Sequence, residues 1–329
     1  KNQILWLGSN SLNSEPKKLG TTALIKSPNS TGLCSGEYMP WSGTAELPHD
    51  QRTDDSKSVC FDSDFLDEPL ELLGTSFLHL KLSSDKECGL ICVRLCDLSP
   101  DGSSTLISYG ILNLRLRNGR ECIADVKAND LINVTVRLND TGWRLKKGHR
   151  LRLALSTQMW PMAWPISEVA EITVYMASSR LEIPVRTPTN KEKDFTQLEL
   201  AEAADAPPHT ILRDPSGSRI ITSDIKTGDI RYEIKSDGGE MKFEKSGLIY
   251  GSANEQLYII KDDDPCSAQA EYRASFSFSR SEWKTSTESE LIVTCDEEHF
   301  FLHGRISAYE DDTQVFIKNW DTKIPRVVY

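Results

Sequence analysis

Residues 150–156, Arg-Leu-Arg-Leu-Ala-Leu-Ser, alternate strictly: Leu151, Leu153 and Leu155 fall on one side, Arg150, Arg152 and Ala154 on the other. That is the period of a half-buried strand. The strand opens behind Lys146-Lys147-Gly148-His149, whose glycine supplies the positive φ of a tight turn. It runs into Met159-Trp160-Pro161-Met162-Ala163-Trp164-Pro165. Two prolines four residues apart exclude a central strand, so this segment is an apolar loop at the end of a sheet. Such a loop covers its own core, another domain or a ligand.

The same period recurs along the chain. Leu70, Leu72, Leu78, Leu80 and Leu82 alternate with polar neighbours. Strands are predicted at 89–97, 105–113, 134–138 and 172–176, with turns at Ser99-Pro-Asp-Gly102 and Asn139-Asp-Thr-Gly142. Residues 187–215 break the pattern with a linker-like stretch and Pro207-Pro208. Alternation then resumes at 230–235, 256–260, 272–278, 283–293, 300–308 and 315–320, with hairpin connections at 279–282 and 310–312. Short strands joined by turn chemistry, with almost no helical pattern, predict an all-β chain: an antiparallel β-sandwich followed by a second antiparallel β meander. The expected divisions are 1–55, a connecting arm and loop; 56–186, the sandwich; 187–215, a linker; and 216–329, the meander, packed on the sandwich. The meander strands are long enough that the sheet is expected to bury a face without outside help.

Charge and cysteine usage narrow the function classes. A formal net charge of −11 argues against a nucleic-acid reader, which needs a basic stripe, and gives no attraction to an anionic membrane. No apolar run approaches a membrane span, and residues 1–30 lack the apolar region of a signal peptide. The chain opens on Lys1 rather than Met, which is expected of a fragment or processed product. Cys88, Cys92 and Cys96 have a cluster-like spacing, but they lie along a predicted strand, where eight residues span about 27 Å and cannot converge on one ion. They are expected to be buried free thiols, and the irregular spacing of all eight cysteines leans toward a reducing, cytoplasmic compartment. Asp54, Asp55, Asp62, Asp64, Asp67 and Glu68 form an acidic run. Its spacing matches no twelve-residue calcium loop, so it is expected to be a solvated face.

No catalytic constellation emerges. Gly32-Leu-Cys-Ser-Gly36 places its serine one position late for a nucleophile elbow, and it lies in a loop. The six histidines are scattered; His299 and His303 share a zinc spacing, but the residues between them alternate like a strand. No phosphate-cradling glycine loop or dinucleotide fingerprint is present, so neither cofactor nor metal is expected.

Several strings taken together carry a resemblance: Phe61-Asp-Ser63, Pro69-Leu-Glu-Leu-Leu-Gly74, Val93-Arg-Leu-Cys-Asp97, Pro100-Asp-Gly102, Gly110-Ile-Leu-Asn-Leu114, Gly148-His-Arg-Leu-Arg-Leu153 and Trp160-Pro-Met-Ala-Trp-Pro165. Farther on, Ser279-Arg-Ser-Glu-Trp283, Ala308-Tyr-Glu-Asp-Asp312 and Trp320-Asp-Thr-Lys-Ile-Pro-Arg326 extend it. In this order they resemble the C-terminal non-catalytic domain of the X-Pro dipeptidyl-peptidase and cocaine esterase (CocE/NonD) family of serine hydrolases. The resemblance implies a jelly-roll, galactose-binding-like sandwich downstream of an α/β-hydrolase domain. That domain carries a Ser-His-Asp triad and cleaves peptide, ester or amide bonds through an acyl-enzyme. It would be the partner of this chain, and no triad residue maps onto these positions. The loop leading into the jelly roll helps line the acyl pocket in the family, which implies pocket-facing roles for Tyr38, Met39 and Trp41. With Met159, Trp160, Met162 and Trp164 these residues would form an apolar docking patch. Trp160 and Trp164 are equally suited to plugging the end of the sandwich core. A carbohydrate-binding module and an oligomerisation domain are the alternatives.

Overall fold

The computed structural model describes residues 2–16, 21–40, 44–189 and 199–327. Trp41 lies outside them. The chain divides into two compact units, one of residues 1–189 with 262–265 and 327–329, the other of 190–261 and 266–326. Both are built from β-sheet, antiparallel as the alternation predicted except where Ser11 pairs in parallel with Asp62.

The first unit contains β1 (Asn2–Gly8), β2 (Ser11–Asn13), β3 (Thr22–Ile25), β4 (Val59–Asp62), β5 (Leu70–Gly74), β6 (Phe77–Ser84) and β7 (Leu90–Leu98). It continues with β8 (Ser104–Asn113), β9 (Ile132–Arg137), β10 (Thr141–Leu145), β11 (Arg150–Ser156), β12 (Ile172–Tyr175) and β13 (Arg180–Pro184). The main sheet runs β3-β12-β6-β13-β1-β2-β4-β11-β7-β8, with β9 also paired to β6, and β5 pairs with β10 apart from it. Residues 1–55 supply three of these strands, β1 to β3. Leu78, Leu80 and Leu82 of β6, Leu151, Leu153 and Leu155 of β11, Phe61 and Leu95 all enter one buried core. Burial makes the alternation of β11 productive: its three leucines are 0–1% exposed. The turns fall where the sequence placed them. Gly148 takes φ +80° and Gly102 φ +86°, and the Gly102 N–H donates to the Ser99 carbonyl at 2.9 Å.

The second unit contains β14 (His209–Arg213), β15 (Ser216–Ser223), β16 (Asp229–Phe243), β17 (Ile249–Lys261), β18 (Asp264–Arg280), β19 (Trp283–Cys295), β20 (His299–Glu310) and β21 (Thr313–Pro325). They form one sheet ordered β14-β16-β17-β18-β19-β20-β21, with β15 also on β16. Two tight hairpins set the register. Arg280 pairs with Trp283 and Glu310 with Thr313, and Ser281 and Asp311 take positive φ inside the loops, as two-residue hairpins demand. The registers sort the side chains by face, since directly opposed residues share one. Tyr272-Leu291-Gly304-Trp320 and Phe276-Thr287-Ala308-Phe316 are rows of one face, and Arg273-Glu290-Arg305-Asn319 is a row of the other.

This sheet does not bury its apolar face alone, contrary to expectation. Phe276, Phe316 and Trp320 are 43%, 50% and 43% exposed. Strand length was the wrong criterion, because removing a sheet face from water takes a second layer, however long the strands are.

Candidate functional site

The site grows from a buried charge. Arg94 sits in the middle of β7, a strand buried at every position, and its guanidinium cannot stay there unpaired. It meets Asp55 at 2.9 Å, both side chains almost fully buried. It also donates to Gln51 Oε1 and Ser58 Oγ, each at 2.9 Å. Asp55 in turn accepts from Ser104 Oγ at 2.8 Å and from Arg152 Nη1 at 3.1 Å. Arg152 makes a two-pronged contact with Asp62, Nε to Oδ1 at 2.7 Å and Nη2 to Oδ2 at 2.8 Å. Its hydrogen bond to Asp62 leads the causes that hold its guanidinium above its usual pKa.

The acidic run is therefore not a solvated face at its start. Asp54 is 0% and Asp55 6% exposed, because each has partners that replace water. Among the described residues, no group of three or more His, Cys, Asp or Glu side chains is placed to hold a metal ion.

The short turn Arg52–Asp55 converts that network into a loop support. Asp54 accepts the backbone N–H of Gly32 on one oxygen at 3.0 Å and that of Cys34 on the other at 2.9 Å. Gln51 Nε2 donates to the Cys34 and His49 carbonyls at 2.6 and 2.7 Å. Gly32 is indispensable here. It adopts φ +109°, and a Cβ on it would lie 2.7 Å from Met159 Cα.

That close approach joins the two loops the sequence singled out. The Trp160 N–H donates to the Thr31 carbonyl at 2.8 Å. Ser27 and Thr157 exchange backbone-to-hydroxyl bonds, Ser27 N to Thr157 Oγ1 at 2.9 Å and Thr157 N to Ser27 Oγ at 3.3 Å. The loop at 159–165 turns back on itself through a cis Trp160–Pro161 bond. Met159 packs with Leu90, Cys92 and Ile166, and Tyr109, Ile111, Met162 and Ala163 flank this cluster.

The predicted aromatic patch is thereby sorted by depth. Trp160 is 1% exposed and lies under the surface. Trp164 is half-buried and stands edge-on to it, ring centroids 5.3 Å apart at 78°. Tyr38 and Met39 are 76% and 73% exposed at the outer end of the supported loop. Burial pushes the Tyr109 phenol above its ordinary pKa, and the nearby Tyr38 adds to the effect. The sequence reading gave Gln51 and Arg94 no role and read Asp54 and Asp55 as solvated. The available signal was Arg94 itself, which with Asp97 is one of two charges in the strand Leu90–Leu98.

Two of the histidines sit in polar clusters on the strands or turns of the sandwich. His149 Nδ1 lies 2.6 Å from Asp97, whose other oxygen accepts from Trp143 Nε1 at 3.0 Å. His79 lies between Thr135 Oγ1 at 3.0 Å and Glu182 at 3.4 Å, a hydroxyl–imidazole–carboxylate order. These three residues sit on paired strands β9, β6 and β13. The ladder engages the backbone N–H groups that an oxyanion site would need. Cys34, Cys60, Cys88, Cys92, Cys96 and Cys122 are free thiols. Burial pushes Cys96 up to about 12, and Cys34, Cys60 and Cys88 to about 11, leaving them protonated and unreactive at neutral pH.

Comparison with known proteins places this architecture. Residues 3–215 match the model of the X-Pro dipeptidyl-peptidase C-terminal non-catalytic domain. The chain is similar to cocaine esterase from Rhodococcus sp. (strain MB1 Bresler), 27% identical over 116 residues that cover 35% of this chain and 20% of the esterase. It shares its fold with an aminopeptidase from a marine sediment Thaumarchaeota archaeon, at TM-score 0.51 and 16% identity, over 57% of this chain and 37% of that one. An α-amino acid ester hydrolase matches at TM-score 0.50 and 19% identity, over 56% of this chain and 36% of that one. The chain thus spans about a fifth of the curated relative and little more than a third of the two structures.

Proposed function

Since the chain belongs to the X-Pro dipeptidyl-peptidase C-terminal non-catalytic domain family, we propose that its sandwich seats and walls the acyl pocket of an α/β serine hydrolase domain of the same polypeptide. The chain carries the X-Pro dipeptidyl-peptidase C-terminal non-catalytic domain over residues 3–215. The pocket-wall role rests on a single observation. A buried network running from Arg94 through Gln51 to Cys34, with Asp54 bound to the same loop, fixes the segment that ends in the exposed Tyr38 and Met39. A loop held this firmly, with large apolar side chains left in water, is built to meet another surface. The partner's serine, activated by its own histidine, would form the acyl-enzyme; this chain's residues would shape the acyl-binding wall and keep water out of it. The parent would hydrolyse peptide, ester or amide bonds.

The sugar-binding alternative needs exposed, coplanar rings. A buried Trp160 at 78° to Trp164 does not make that platform.

The test uses the polypeptide extended to include its hydrolase domain. A fluorophosphonate probe should label the extended protein and not this chain alone. Tyr38→Ala with Met39→Ala should raise KM about tenfold with kcat nearly unchanged, the signature of lost ground-state binding. An unchanged KM with full labelling would remove the pocket-wall role.

A further inference from the structure

The meander lies mostly outside the family match, and its sheet has the sidedness of a structure made to be covered. Across four successive rows, from Ala270-Val293-Leu302-Thr322 to Phe276-Thr287-Ala308-Phe316, the apolar face carries one charged side chain, Lys318. Ring contacts carry the same face onto β17, with Tyr258 5.8 Å from Tyr272 and Tyr250 5.3 Å from Phe278. The reverse face holds Glu271, Arg273, Glu290 and Arg305. Arg273 pairs there with Glu290 at 2.7 Å and Glu271 at 3.0 Å. An antiparallel sheet with one uncharged and one charged face is the pattern of half a sandwich. Here Phe276, Phe316 and Trp320 of the uncharged half stand 43–50% in water although Ala270 is buried, and a groove of about 650 Å3 runs between Tyr272 and Trp320, with Glu255, Arg273, Glu290 and Arg305 also along its walls. Gly304 makes that groove possible: Trp320 lies over it, its ring 3.1 Å from where a Cβ would sit.

We propose that this face is the two-fold interface of a homodimer, in which a second copy lays the same face of its meander against it to complete a sandwich. Two features select a second copy as the occupant. Five strands about 4.8 Å apart and about 40 Å long present on the order of 1,000 Å2, and a stable association needs about 800 Å2 from each partner. Chains of net charge −11 repel one another, so a contact between copies is least opposed at a surface nearly free of acidic side chains, and the four rows of this face carry none. A two-fold axis makes the contact self-complementary and closed. The rings of each copy then fill the groove of the other, at the roughly 10 Å separation of packed sheets. This inference stands apart from the proposed hydrolase role, because it uses no residue of the supported loop.

Light scattering on this chain should give twice the 37.0 kDa of one copy. Trp320→Asp and Phe276→Asp, each placing a charge in the face, should weaken the dimer about thirtyfold or more. Ser286→Lys, on the charged face, should leave it intact. Circular dichroism of each variant confirms that the sheet remains folded. If Trp320→Asp unfolds, Lys318→Glu supplies the same readout at a residue already facing water. A mass of 37 kDa throughout the micromolar range would overturn the proposal. So would a dimer that the two face-directed charges leave unmoved, or hydrogen-exchange protection of Phe276 and Trp320 by the hydrolase domain instead of by a second copy.

Discussion

The two units use the same strand grammar and reach different degrees of burial. In the sandwich, Phe61, Leu78, Leu82, Leu95 and Leu153 are 0% exposed, because residues from many strands converge on one interior. In the meander, the larger side chains of the uncharged face are left between 37% and 50% exposed at Tyr272, Phe276, Phe316 and Trp320. Alternation is therefore a statement about one sheet, and a core is a statement about two layers. The charges follow the same division. The sandwich takes Arg94 and Asp55 inside and surrounds them with partners, whereas the meander keeps Arg273 and Glu290 at its surface.

The largest expected effect comes from breaking the internal pair. Arg94→Met leaves Asp55 buried with Arg152 as its remaining cation, and loss of one partner of a buried pair costs about 3–5 kcal/mol. Urea unfolding should show that loss. Hydrogen exchange of β7 amides should rise while that of β18 amides stays as it was, because the meander has no share in the network. Equal loosening of both strands would mean that the two units unfold as one.

Much of this contrast was legible in the sequence, and the missing part has a physical reason. Leu151, Leu153 and Leu155 announced β11, and two prolines announced the loop beyond it, because period and proline chemistry are local. Asp54 and Asp55 gave the wrong impression, since a run of carboxylates in loop chemistry reads as a solvated surface. The partners that bury them lie elsewhere in the chain: the Gly32 and Cys34 N–H groups for Asp54, and Arg94 and Arg152 for Asp55. Gly32 was visible as a glycine, but its contact with the Met159 backbone depends on two loops meeting at the end of the sheet. The sidedness of the meander was present in every Phe-Ser alternation of Phe276 to Phe278. What sequence could not supply was the second layer, which no strand within that sheet provides.

A middle-sized effect is the response of the sandwich thiols to pH. Burial raises the thiols of Cys34, Cys60 and Cys88 to about 11 and Cys96 to about 12, and raises Cys92 further. All five belong to the sandwich. A thiol whose folded pKa exceeds its unfolded value, near 9, contributes its full stability below pH 9. That contribution is lost as pH climbs toward the folded value. Each fully buried thiol then removes about 1.4 kcal/mol per pH unit within that window, and the half-buried ones remove less. Stability measured from pH 8 to 11 should fall first in β7, and Cys92→Ala with Cys96→Ala should flatten the slope at some cost in packing. A slope untouched by both substitutions would assign the alkaline loss to groups other than these thiols.

The smallest effect is the counterpart of the first. Arg273 is 49% and Glu290 38% exposed at the side chain, so water already solvates both, and their attraction is offset by the entropy of holding two long chains together. Exposed pairs of this kind contribute about 0–1 kcal/mol. Arg273→Met should therefore shift the unfolding midpoint barely at all. Added salt should erase even that difference, since the pair lies within reach of screening ions. The same substitution made at Arg94 is the large effect above, although both arginines occupy the middle of a strand and face a carboxylate at under 3 Å. Distance alone cannot rank the two. If Arg273→Met proved as costly as Arg94→Met, the charged face of the meander would have to be buried in solution, and the sheet would then be covered on the side opposite to the one proposed.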